Sequence, residues 1–221
     1  MATEGTEVMA TELAASTFAL RLVDGRGLEQ RYRDVLRPGG ILCDLAGRAR
    51  VLPRFFYEVE SWQQARDTHL SPHFTVSEFI HTDVREAPPL RVFPRYIPCA
   101  TLLLAFALEQ LREEVGTYVF VGANGGYCSP KHRGTGAASP HCWGTAANIY
   151  RIGDTYLDTP ETIRRYAALA HEVIPTVWTR PLGDARMLTD DHLHVDLGYV
   201  IAEPREAQVE IYDSKRPGDP S

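Results

Sequence analysis

The sequence predicts an α+β domain, a small and mainly antiparallel sheet flanked by helices. Two amphipathic stretches have helical periodicity, they stand among short β-branched and aromatic runs, and most connections between them are short. The chain has 221 residues, 44% of them hydrophobic and 24% charged, enough to bury a core and suited to one domain with an N-terminal extension.

In chain order, residues 1–16 are small, polar and acidic without a period, and the tail KRPGDPS is poor in apolar residues. A flexible N-terminus over 1–16 and a flexible tail over 213–221 are expected. Between them an extension over 17–69 is expected to pack on a domain spanning 70–212. FALRLV (18–23) and GGILCDL (39–45) read as strands. The stretch PRFFYEVESW leads into HFTVSEF, where Thr75 and Glu78 have the spacing of a capping box and start a short helix that turns Phe79 and Ile80 inward.

A helix is predicted from about Pro98 to Val115. Ala100, Leu103, Leu104, Ala107, Leu108, Leu111 and Val115 recur at three- and four-residue steps, and Gly116 stops it. TYVFVGAN then reads as a strand running into the turn-rich GANGGYCSPKHRG, and NIYRIG as another strand. A second helix follows in DTPETIRRYAALAHEVI, with Thr159 as N-cap, Pro160 at the first helical position, Glu161 in the first turn and Pro175 past its end. TVWTRP and HLHVDLGY complete the set of strands and loops.

Composition narrows the partners. A formal charge of −6 gives no basic stripe for nucleic acid. The apolar run in ATLLLAFAL is far too short to span a bilayer, and the first thirty residues hold acids rather than a signal sequence. A cytoplasmic protein is expected, with no membrane partner. Its four cysteines lack Cys-x-x-Cys spacing and are expected to be reduced.

Chemistry concentrates in SPHCWGTAAN (139–148) and DDHLHVD (190–196). On a strand, His192 and His194 point to one face, while Asp191 and Asp196 flank them as carboxylates able to hold the far ring nitrogen of a metal-bound histidine. Taken alone, His141 reads as a hydrogen-bonded structural histidine, and TDDH as a solvated acidic loop.

Taken together, the motifs resemble the zinc D-alanyl-D-alanine carboxypeptidase family and related phage endolysins. The matching positions are Gly126, Tyr127, Ser129 and Pro130, then Ser139, His141, Gly144, Ala146 and Asn148, then Asp191, His194 and Asp196, with HFTVSEF upstream resembling the opening helix of such domains. The resemblance covers residues 70–200 and implies a carboxypeptidase-like fold. It implies that His141 and His194 ligate zinc, with Asn148 in the third position. Asp191 then acts as general base, His192 as a second proton-transfer group, and Ser139 as a substrate contact beside Tyr127, Cys128 and Trp143.

Two positions depart from the family. Asn148 replaces an aspartate ligand with a neutral oxygen, which weakens zinc, and Cys128 replaces an arginine that clamps a terminal carboxylate. Cys142, beside His141, is a further candidate thiolate ligand. The resulting expectation is a diverged metal-dependent hydrolase acting on an amide or peptide-like small molecule. One alternative is a metal-free acid/base enzyme of small-molecule biosynthesis using Arg54, His69 and Glu78, whose order resembles the bacterial β-carboline-forming Pictet–Spengler synthases. The other is a non-catalytic binding protein on the same scaffold.

Overall fold

The computed structural model of the chain describes residues 20–122, 125–133, 137–183 and 191–205. Both expected flexible ends, 1–16 and 213–221, and residues 206–212 lie outside the described residues. Helices and antiparallel sheets make a mixed α+β fold.

The first sheet has three strands, with β4 (Phe55–Glu58) between β1 (Arg21–Asp24) and β5 (Tyr96–Pro98). Every residue of β4 is buried, and PRFFYEVESW is therefore the sheet's central strand. A strand covered on both faces loses the alternation that would announce it. Glu58 is the charged exception. Burial pushes its carboxyl up, but Arg21 and Arg95 outweigh that and hold it below the usual range. Arg95 Nε donates to it at 2.8 Å and Tyr96 Oη at 3.4 Å.

The second sheet has five strands. β6 (Val119–Val121), β7 (Ala146–Ile152), β10 (Leu193–Asp196) and β9 (Trp178–Thr179) lie side by side, and β8 (Thr155–Tyr156) pairs with β7. A hairpin of β2 (Ile41–Cys43) and β3 (Ala49–Val51) stands apart. The helices are α1 (Gln30–Leu36), α2 (Trp62–Asp67), α3 (Pro88–Arg91), α4 (Thr101–Val115) and α5 (Pro160–Val173).

α4 begins three residues later than expected. Pro98 belongs to β5, where it pairs with Phe56, and Ala100 is the N-cap; Leu103 points outward, 43% exposed. Gly116 ends the helix with φ 62°, in the left-handed region that glycine tolerates. α5 starts at Pro160 after the Thr159 cap, as its sequence signals indicate. The turn after Thr75 is shorter than expected, one 3-10 turn over Val76–Phe79 with the capping box intact. β1 starts at Arg21 and ends at Asp24, and residues 18 and 19 are outside the described residues.

The expected boundary at residue 69 runs through a shared structure. β4, from the extension, pairs with β5, from the following segment, and one buried apolar cluster runs from Leu20 and Phe56 to Leu108, Ile149 and Val195. A smaller cluster joins Leu52 to Ala138, Cys142 and Trp143, so the β2–β3 hairpin backs the segment that carries His141. The four cysteines remain thiols, and burial pushes Cys99 up to about 12. Among the described residues no helix is long and apolar enough to cross a membrane.

Candidate functional site

Two segments distant in sequence bring their imidazoles together. The first is a 3-10 turn, Pro140–Trp143, started by Pro140 and closed by Gly144 at φ 69°. A side chain at Gly144 would collide with Thr101 Oγ1, which fixes how closely the turn sits on α4. Within the turn His141 donates from Nδ1 to the Gly126 carbonyl at 2.7 Å. A carbonyl only accepts, so Nδ1 holds the proton and Nε2 keeps its lone pair. Gly126 reaches this position because its backbone lies against Phe79, where a Cβ has no room. Burial, followed by the neighbouring His194, pulls the His141 pKa down to about 3, and the ring is neutral at ordinary pH.

The second segment is β10. Its register on β7 sets His194 opposite Asn148, and His194 Nδ1 hydrogen-bonds Asn148 Oδ1 at 2.8 Å. Asn148 is also near enough to His141 to raise its pKa slightly against the burial that lowers it. His194 Nε2 donates to Asp196 Oδ2 at 3.1 Å, and the Gly198 N–H holds the other oxygen of that carboxylate at 2.8 Å. Asp196 thus orients the ring as the flanking carboxylate was expected to do. On the neighbouring strand β9, Trp178 presents its ring edge-on to His194, with centroids 5.8 Å apart.

The His141 and His194 centroids are 5.1 Å apart with the rings inclined at 67°. Two imidazoles bound to one tetrahedral ion, each about 2.0–2.1 Å from it, have centroids about 5 Å apart. Two imidazole nitrogens and an amide oxygen are donors that suit zinc and its neighbours in the first transition row, with the imidazoles dominating. As arranged here His194 spends both ring nitrogens on acceptors, Asn148 Oδ1 and Asp196 Oδ2, so a divalent metal would have to displace the Nδ1 proton before His141, His194 and Asn148 could share it, and would be held more weakly than by a set with a carboxylate. Among the described residues no three His, Cys, Asp or Glu side chains converge to hold a metal, so the set depends on the Asn148 oxygen.

His192 lies one residue before β10. It donates from Nδ1 to Asp191 Oδ1 at 2.7 Å, and Arg180 Nη2 approaches its Nε2 to 3.3 Å. Burial pulls its pKa down, opposed by Asp191 and reinforced by Arg180 and His194. Because His192 precedes the strand, the alternation that was expected to set it on one face with His194 does not apply to it. Asp191 is the most open member, with 63% of its side chain exposed.

Other expected contacts are placed elsewhere. Tyr127, Cys128 and Trp143 are wholly covered by protein, so they support the site from behind instead of touching a substrate. Burial pushes the Tyr127 phenol and the Cys128 thiol well above their ordinary ranges. Trp143 donates from Nε1 to the Val51 carbonyl at 2.8 Å. Cys142 is buried in the same apolar cluster. Ser139 is half-buried at the start of the 3-10 turn, and its hydroxyl does not cap it.

The alternative set is divided. Arg54 pairs with Asp24, its Nε donating at 3.0 Å. His69 and Glu78 meet at Thr75, the first through a backbone bridge and the second as the cap. The sequence reading missed Trp178, Arg180 and the Gly126 carbonyl. Strand register brings the first two to the site, and no local pattern in TVWTRP encodes it.

No family model, curated protein or solved structure matches this chain. Its chemistry has to be read from the cluster itself.

Proposed function

We propose that this chain is a metal-dependent hydrolase, diverged from the zinc D-alanyl-D-alanine carboxypeptidases it resembles, that cleaves an amide bond in a peptide-like small molecule. The observation that carries this reading is the His141–His194 pair, at a separation suited to one shared ion. A divalent metal in that place supplies Lewis-acid polarisation of an amide carbonyl.

The chain's own residues supply the rest. The Gly126 carbonyl keeps His141 in the tautomer whose lone pair faces the cleft, and Asp196 holds the His194 ring in plane. Asp191 and His192, joined at 2.7 Å at the open side, would take a proton from the attacking water as its oxygen bonds to the carbonyl carbon, and return it to the amine nitrogen as the C–N bond breaks. Trp178 packs its ring against that of His194 and so helps to fix it.

One feature favours a second reading, a metal-free acid/base enzyme. Both nitrogens of His194 already have acceptors, Asn148 Oδ1 and Asp196 Oδ2, so that ring is satisfied without an ion. Calorimetric titration of chelator-treated protein with zinc separates the two. The hydrolase reading expects one zinc per chain, lost in His141→Ala and in His194→Ala. Absence of zinc uptake by the parent protein would leave the metal-free reading.

A further inference from the structure

On the solvent side of the second sheet, at its β6 edge, four aromatic rings follow one another. Tyr118 and Phe120 stack with centroids 5.8 Å apart, Phe120 meets Tyr150 at 6.1 Å, and Tyr150 meets Tyr156 at 6.4 Å. A register shift between Phe120 and Val121 leaves Tyr150 as an extra residue of β7. Ile149 and Ile152 can then both turn into the core while Tyr150 and Arg151 stay at the surface. Tyr118 and Tyr156 are each more than half exposed.

Two guanidiniums lie among these rings. Arg151 pairs across the sheet with Phe120 on β6 and with Tyr156 on β8, and its guanidinium stands 3.9 Å and 5.6 Å from their ring centroids. Arg112, from α4, stands 4.6 Å from the Tyr118 centroid. Neither forms an ion pair among the described residues, and Arg151 Nε is buried with no hydrogen-bond partner. A guanidinium held against aromatic faces keeps its N–H edge for a planar anion, and a buried donor is costly until an acceptor reaches it.

We propose that this surface docks an extended acidic peptide segment of another protein, whose carboxylates meet Arg151 and Arg112 and whose apolar side chains lie on the four rings. Side chains on one face of an extended peptide recur about every 6.6–6.8 Å, close to the spacing of the rings. Tyrosine and arginine are also among the residue types that concentrate binding energy at protein interfaces. Two cations on a chain of formal charge −6 are too few to follow a phosphate backbone, which sets nucleic acid aside. Docking here uses none of the imidazole cluster's residues and stands apart from the hydrolase reading.

The test titrates the full chain into a short fluorescein-labelled peptide of alternating Glu and Leu, and into the same peptide with Gln at each Glu, by fluorescence anisotropy. The Glu peptide should bind at least about tenfold more tightly than the Gln peptide, as two charge-assisted contacts imply, and added salt should narrow the difference. Arg151→Gln should remove most of that preference, Arg112→Gln part of it, and Arg151→Lys should keep only a fraction, because an ammonium lacks the fork. Tyr156→Ser should weaken both peptides alike, since the ring contact does not depend on charge. Thermal melts of the variants should match the parent, and Arg112→Gln and Tyr156→Ser decide the matter if Arg151→Gln fails to fold. Undetectable binding of the Glu peptide, equal binding of the two peptides, or a preference that survives both glutamine variants overturns the docking surface. Tighter binding of an oligothymidylate or of phosphatidylserine vesicles, lost in Arg151→Gln, overturns it as well by assigning the face to nucleic acid or membrane. A parent dimer in sedimentation velocity that Arg151→Gln dissociates assigns it to a second copy of the chain and likewise overturns it.

Discussion

At the scale of single residues, position 148 decides how the site behaves. Its oxygen accepts from His194 Nδ1, which sets this side chain inside the imidazole cluster beside the bare Nε2 face of His141. An aspartate there offers only acceptors, and an acceptor against a bare ring nitrogen calls for a cation or a proton between them. Asn148→Asp should cost the metal-free protein about 1–3 kcal/mol and tighten zinc at least about tenfold. Calorimetry on the two proteins checks this, and equal zinc affinities would remove residue 148 from the donor set. His141 adds a pH dependence. Its folded pKa of about 3 lies below the ordinary 6.5, so between those values the unfolded chain holds the extra proton. Stability is therefore fully present above 6.5 and falls as pH is lowered, by up to about 1.4 kcal/mol per unit. Urea unfolding of chelator-treated protein at pH 7 and pH 5 should show a loss of about 2 kcal/mol, and His141→Gln should flatten it.

At the scale of elements, the buried Glu109 on α4 ties the helix to the loop before the Thr75 cap. It accepts from Ser71 Oγ at 2.6 Å, from the His73 N–H at 3.1 Å and from His73 Nδ1. Burial pushes its carboxyl up, and Ser71 and His73 more than offset that. Glu109→Ala leaves those donors without their acceptor and should cost about 2–3 kcal/mol in urea unfolding. A loss within about 0.5 kcal/mol would mean that water replaces the carboxylate. The sequence showed α4 and α5 well because caps, period and stop signals are local, and it showed the Thr75–Glu78 cap for the same reason. It did not show β4, whose four buried residues carry no alternation, or that β4 would join β5 across forty residues of chain. The site divides along the same line. His141, Asn148 and His194 were legible from ordered motifs, whereas Trp178 and Arg180 reach the cluster only through the β9–β10 register. Tyr127, Cys128 and Trp143 sit within those motifs yet face the core, because a motif gives position along the chain and packing decides which way a side chain turns.

At the scale of the whole molecule, the cleft depends on parts that never touch it. The first sheet and the second share one apolar core, and the β2–β3 hairpin clamps the back of the His141 turn through Leu52, Trp143 and the Val51 carbonyl. Tyr199, just past β10, packs its ring against Trp143 at 4.9 Å and carries the Arg50 guanidinium 4.4 Å over its face. Both histidine segments are thus braced against the same hairpin, which keeps the two imidazoles at a fixed separation while the Asp191 side stays open. That division between a braced ligand pair and an open proton-transfer pair leads to a prediction about turnover. If the hydrolase reading is right, Asp191→Ala removes the carboxylate that partners His192 and should lower turnover of the substrate by about 10²–10⁴-fold. Its zinc content should stay near that of the parent, since Asp191 bonds His192 and lies outside the ligand set. His194→Ala should lose zinc and turnover together, and a chelator should reproduce that loss in the parent and be reversed by added zinc. Turnover that survives both chelation and Asp191→Ala would instead direct attention to Arg54, His69 and Glu78, where substitutions would then have to abolish it.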